Sequence, residues 1–221
     1  MPFIPPTQDE LIEGLRRYTG ISEINNREIL SSKLSQCATE VLAVLEPRSI
    51  LKKTMVSGCN AGTLVGKGVS IESKKLSSMV ATMNQPAFIY GFALTLGEQI
   101  DGLIEHSQRI SLAEALILDA AGSFLVEHYA SLFEDCLVKE LSRQGLQLST
   151  RFSPGYCDWD LKHGQAELSR FLSPHVIGID LRESGMMSPM KSITGIFIVA
   201  SSMPERTPCA FCLDQDCPHR R

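Results

Sequence analysis

The sequence predicts an α+β fold: one domain with a twisted, mostly antiparallel sheet and flanking helices, one of them long. Three observations carry this. Apolar residues spaced by threes and fours mark helices, and alternating or continuously apolar runs rich in Val, Ile and Phe mark strands. The two kinds of segment mix without a regular strand–helix–strand rhythm, which disfavours a parallel α/β sheet. At 221 residues the chain can bury one sizeable core but hardly two independent ones, so residues 1–205 are read as the domain and 206–221 as a Cys-rich tail.

The first helix is expected over 27–46, where Leu30, Leu34, Cys37, Val41 and Leu45 share a face and Pro47 ends the run. "SILKKTMVS" and "TLVGKGVSI" each read as one strand, parted by the turn-forming "GCNAG". A short helix over 74–83 leads to "AFIYGFALTLG", a buried strand ended by Gly97. Ser111 and Glu114 have the spacing of a capping box and open the long helix. Leu118, Gly122, Leu125, Tyr129, Phe133, Leu137 and Leu141 give it an apolar stripe. Asp119, Ser123, Glu127 and Ser131 line another face, and on spacing alone they read as a solvated one. A short helix ending before Pro174, a strand over 176–181, and a β-branched strand after the Met-rich turn "GMMSPM" complete the chain.

The formal net charge is −4 and Lys and Arg do not cluster among aromatics, which argues against a nucleic-acid-binding surface. No apolar run reaches the ~18 residues of a membrane helix, and "MPFIPPTQDE" lacks the basic and apolar regions of a secretory signal. Seven unevenly spaced cysteines suit ligand or redox chemistry in a reducing compartment better than a disulfide framework, so the cytoplasm is expected.

The stretch richest in chemistry is "RFSPGYCDWD", residues 151–160. Arg151 offers a permanently charged, planar fork for a carboxylate or phosphate. Pro154 and Gly155 turn the backbone sharply and let a ligand approach it. Tyr156 and Trp159 offer flat faces for stacking. Together they suit a zwitterionic amino acid joined to an aromatic ring.

"RFSPGY", then "GMMSPMKSITG" some thirty residues on, with "ALILDAAGSFLVEHYA" upstream, resembles the reactivation domain of cobalamin-dependent methionine synthase, and more closely its free-standing relatives. The family pattern, Arg-x-x-x-Gly-Tyr and then Met-x-Pro-x-x-Ser-x-x-Gly, is met by Arg151, Gly155, Tyr156, Met187, Pro189, Ser192 and Gly195. The resemblance implies a domain that binds S-adenosylmethionine and presents its methyl group to a cobalamin held by a separate corrinoid-bearing methyltransferase. An oxidised cobalt centre is thereby reactivated, with a flavodoxin- or ferredoxin-like protein as electron donor. It implies that Arg151 pairs with the ligand carboxylate, that Ser153 and Gly155 border the ligand, that Tyr156 sits at the corrin face, and that Glu127 stands near the cationic ligand.

The chain departs from the pattern in three places. Gly145 stands six positions before Arg151, where the founding members have an acidic residue. Phe197 occupies the Tyr position after the Ser-x-x-Gly entry and is carried into the site without its hydroxyl. Cys157 replaces Pro after Tyr156, as a redox thiol or a small buried filler, while Met186, Met187 and Met190 read as adaptable packing.

In the tail "CAFCLDQDCPHRR", Cys209, Cys212 and Cys217, with His219 or a distant Cys, have spacing for zinc or an iron–sulfur cluster, and the choice of metal stays open. From a different class, the alternative reading is a non-catalytic adaptor or metal-dependent regulatory module that keeps the fold.

Overall fold

The computed structural model describes residues 3–19, 27–60, 62–83 and 87–203. Helix α1 (Gln8–Thr19), which the sequence reading does not include, begins at a capping box. The Thr7 N–H donates to Glu10 Oε2 at 2.7 Å and the Glu10 N–H to Thr7 Oγ1 at 3.3 Å. Its apolar residues Leu11 and Leu15 are fully buried. Helix α2 (Arg27–Ala43) follows the predicted stripe, burying Leu34, Cys37, Ala38 and Val41.

Strand β1 (Arg48–Asn60) runs through the start of the expected turn. "TLVGKGVSI" is not one strand but a tight hairpin of β2 (Thr63–Gly66) and β3 (Val69–Glu72), because Lys67 and Gly68 reverse the chain. Helix α3 (Lys74–Ala81) is capped by Ser73, whose Oγ accepts the Leu76 N–H at 3.1 Å. After β4 (Phe88–Thr95) comes α4 (Gln99–Gln108), also absent from the sequence reading.

Helix α5 (Leu112–Ser142) is the long helix, about 46 Å from end to end at 1.5 Å per residue. Only half of its predicted capping box forms. Ser111 Oγ accepts the Glu114 N–H at 3.3 Å, but the Glu114 carboxylate turns to Lys33 of α2. The chain continues through β5 (Gln147–Leu148), α6 (Leu161–Leu172), β6 (Asp180–Leu181), β7 (Met187–Ser188) and β8 (Ser192–Ala200). The strand expected over 176–181 begins instead inside a 3₁₀ turn, Pro174–Ile177. Pro174 starts that turn and Gly178 ends it at φ 78°, leaving two residues for β6.

Six strands form an antiparallel sheet in the order β3-β2-β1-β4-β8-β5. Two of its inner strands, β4 and β8, are covered on both faces, which is why they read as continuous apolar runs. Tyr90, Phe92, Leu94, Phe197 and Val199 point into a core shared with α1, α2, α4 and α5. The alternate residues Ile89, Ala93, Ile196 and Ile198 point into a second core under α3 and α6. No described helix is long and apolar enough to cross a membrane.

Candidate functional site

The site is assembled where the 151–160 loop meets β8 and α5. Phe152 and Ile196 exchange backbone hydrogen bonds of 2.9 and 2.8 Å, fastening the loop to the sheet beside Gly195. A Cβ at Gly195 would lie 2.7 Å from the Phe152 carbonyl oxygen and 2.8 Å from Ser153 Oγ, so the absence of a side chain permits this approach. Gly195→Ala is therefore expected to cost about 1–3 kcal/mol, as overpacking against backbone does, and to displace the loop. Urea unfolding checks this, and an unchanged midpoint would show that the contact relaxes freely.

Beyond Ser153 the loop is a braced turn. The Tyr156 N–H donates to the Ser153 carbonyl at 3.2 Å, the Gly155 N–H to the Trp159 carbonyl at 2.9 Å, and the Trp159 N–H to the Tyr156 carbonyl at 3.2 Å. Gly155 sits at φ 89°, a left-handed conformation that a side chain would strain. The two aspartates tie the turn to two helices. Asp158 accepts the Ser73 hydroxyl at 2.6 Å and the Lys75 N–H at 3.2 Å, at the start of α3. Asp160 accepts the His163 N–H at 2.8 Å and caps α6. Burial alone would raise the Asp158 carboxyl, but the hydrogen bonds from Ser73, Lys75 and Lys74 outweigh it and hold the group below the ordinary carboxylate range. So anchored, the turn pushes Tyr156 out to 70% exposure.

Trp159 does not offer a stacking face. It is 3% exposed and packs in the second core, because the cap at Asp160 turns α6 back over it. Cys157 is no buried filler: it is exposed at the tip of the turn, at φ 57°. Met186 and Met190 are also partly solvent-facing, whereas Met187 packs against the second core.

Arg151 joins the loop to α5 through a 2.7 Å hydrogen-bonded ion pair from its Nη2 to Glu127 Oε2. The polar stripe of α5 stays partly solvent-exposed, as its spacing suggests, but it also carries two ion pairs to distant parts of the chain. Two turns before Glu127, Asp119 Oδ1 accepts Lys191 Nζ at 2.7 Å and Ser123 Oγ accepts it at 3.0 Å. Lys191 enters from the start of β8, with its side chain 8% exposed and its stem passing over Gly122. The adjoining Met190 N–H donates to Asp101 Oδ2 at 2.7 Å, so the Met-rich segment is pinned to α4 as well. Burial pushes the Asp101 carboxyl up despite that bond and the nearby Lys191.

Of the predicted site residues, Arg151 and Glu127 are in direct contact, Ser153 approaches Gly195, and Gly155 and Tyr156 follow in the same loop. Phe197 falls opposite Arg151 in register, next to the Phe152–Ile196 bridge, but its ring is buried. It is 1% exposed and stacked on Phe92 with ring centroids 4.9 Å apart, on the opposite side of β8 from Ile196 and the second core. Cys209, Cys212 and Cys217 lie outside the described residues. Sequence reasoning missed Lys191, whose partners are 72 and 68 residues away. It also missed Glu134, a half-buried carboxylate seven residues after Glu127 whose charge interacts with Arg151.

Neither a family model nor a curated protein matches this sequence. Among solved structures, the chain is similar to the crystal structure of the MetH reactivation domain bound to AdoHcy, with 15% identity and a TM-score of 0.59 over 93% of this chain and 80% of that one. Over nearly its whole length, then, the chain has the fold of the MetH reactivation domain.

Proposed function

We propose that this protein binds S-adenosylmethionine and acts in trans as a corrinoid-reactivation protein, supporting reductive methylation of an oxidised cobalamin on a methionine synthase or related methyltransferase. The observation that carries the reading is the Arg151–Glu127 pair, a matched cation and anion, beside a braced turn with an exposed Tyr156. It supports the reading all the more on a fold shared with a domain that binds AdoHcy.

The residues present fit such a ligand. Glu127 engages one nitrogen of the Arg151 guanidinium, which leaves further N–H donors of the planar fork for a ligand carboxylate. Glu127 places negative charge where a sulfonium would lie. Tyr156, projecting from the turn, would sit at the corrin face of the partner. The corrinoid on that partner supplies the methyl acceptor. This chain contributes placement, because holding the donor group in line converts an encounter into an oriented transfer. A flavodoxin- or ferredoxin-like donor completes the system.

Isothermal titration with S-adenosylmethionine tests the reading, with Arg151→Ala run beside the parent protein. Saturable binding that the variant weakens roughly thirtyfold is the expected result. Folded parent protein that binds no ligand, alone or with a corrinoid protein present, would leave the adaptor reading in its place. Zinc or an iron–sulfur cluster on Cys209, Cys212 and Cys217 is a separate proposal, tested by metal analysis and the visible spectrum of anaerobically purified protein.

A further inference from the structure

We infer that Asp158 is a positioning residue for ligand binding: by tying the turn to the start of α3, it holds the turn's backbone ready for the ligand before the ligand arrives. This rests on the reading of the site given above. Asp158 touches no ligand in that reading and acts through Gly155 and Tyr156.

The turn is fixed at both ends. At its entry the Phe152–Ile196 bridge fastens it to β8, and Arg151 beside the bridge is held by Glu127. At its exit Trp159 is buried in the second core and Asp160 caps α6. Between these ends, the hydrogen bonds among Ser153, Gly155, Tyr156 and Trp159 run within the turn, so they set its shape. Asp158 reaches out of it. Its Oδ1 accepts the Ser73 hydroxyl at 2.6 Å and its Oδ2 the Lys75 N–H at 3.2 Å, across 85 and 83 residues of chain. Ser73 is a firm post, 3% exposed, because its Oγ also accepts the Leu76 N–H at 3.1 Å as the cap of α3. One hydroxyl donates to the turn and accepts from the helix.

The backbone beside Asp158 shows why a tie is needed. Cys157 lies at φ 57°, in the left-handed region. A residue with a side chain stays there only where its surroundings over-determine it. The Pro that the resembled family carries after the Tyr could not take this φ at all, so the tie belongs to this chain's own form of the turn. With the tie cut, Cys157 is free to relax to ordinary backbone and to carry Gly155 and Tyr156 with it. Arg151 and Glu127, fastened separately, stay in place. The ligand would then find its carboxylate partner but would have to order the turn as it binds, a cost that preorganisation removes.

Isothermal titration with S-adenosylhomocysteine, with urea unfolding alongside, tests the assignment. Asp158→Ala is expected to weaken binding about fivefold, the effect of ordering one or two residues on binding. Asp158→Asn should stay within about twofold of the parent, since an amide oxygen can accept the Lys75 N–H while its nitrogen donates to Ser73 Oγ. Ser73→Gly breaks the tie from the other side while leaving a residue that helix starts tolerate, and should weaken binding in the same direction even if Asp158→Ala does not fold. Affinity unchanged in Asp158→Ala and Ser73→Gly, whatever happens to their unfolding midpoints, would mean that Asp158 serves only the fold, and overturns the assignment. So does an Asp158→Asn variant as weak as Asp158→Ala, because the tie itself would then not be the cause. A parent protein that binds no S-adenosylhomocysteine overturns the reading of the site, and this assignment with it.

Discussion

Asp119→Ala is expected to lower unfolding stability by about 3 kcal/mol, the low end of the cost of breaking a buried ion pair by removing one partner. The cost comes from Lys191. Its ammonium is nearly enclosed, and Asp119 and Ser123 are the partners that make its burial tolerable. With Asp119 shortened to a methyl, the ammonium keeps one neutral hydroxyl and only the charge of Asp101, to which it forms no hydrogen bond. The low end applies because Asp119 is itself 49% exposed, so water can enter beside the truncated side chain. Lys191→Met should be far milder, within about 1 kcal/mol of the parent. It removes the charge together with its desolvation and keeps an apolar stem over Gly122. Urea unfolding of both variants measures the difference, and an Asp119→Ala variant no less stable than Lys191→Met would refute this account. Against the ~5–15 kcal/mol that holds a typical domain together, the loss is large enough to reduce soluble yield.

Such a pair was not legible in the sequence, and the reason is physical. Periodicity reports which face of an element is apolar. It does not report which distant element arrives at the other face. The spacing of Asp119, Ser123 and Glu127 at i, i+4 steps was plain, and a solvated face is the usual fate of such a stripe. Only the folded chain brings Lys191 and Arg151 to it.

The same limit explains Trp159. As an aromatic in a polar loop it reads as a stacking surface, yet the Asp160 cap turns α6 so that the indole closes the second core. Elements defined by their own pattern were legible: α2, α5, β4 and β8 each carry their burial code in consecutive residues. α4 carries a weak one, with Gly102 in its middle and only Ile100, Ile104 and Ser107 buried. The 176–181 run is β-branched, but Pro174 and Gly178 impose their own backbone on it.

At the candidate site the largest expected effect belongs to Arg151→Ala, which should weaken S-adenosylmethionine and S-adenosylhomocysteine alike by about 2 kcal/mol, roughly thirtyfold. Both ligands carry the carboxylate that Arg151 would meet. The value sits low in the range for a lost charged hydrogen bond, for two reasons. The Arg151 side chain is 27% exposed, and in the free protein it already spends part of its fork on Glu127, so the ligand gains less than a fresh pair would give. Glu127→Gln should separate the two ligands. Glu127 is 56% exposed, so its attraction for a sulfonium is screened and worth less than about 1 kcal/mol. That small loss should fall on S-adenosylmethionine, because S-adenosylhomocysteine has no positive sulfur to lose. If Arg151→Ala left both affinities intact, the carboxylate would be bound elsewhere. If Glu127→Gln weakened both ligands equally, the role of Glu127 would be to hold Arg151 in place, and the sulfonium would have to be met by another part of the turn.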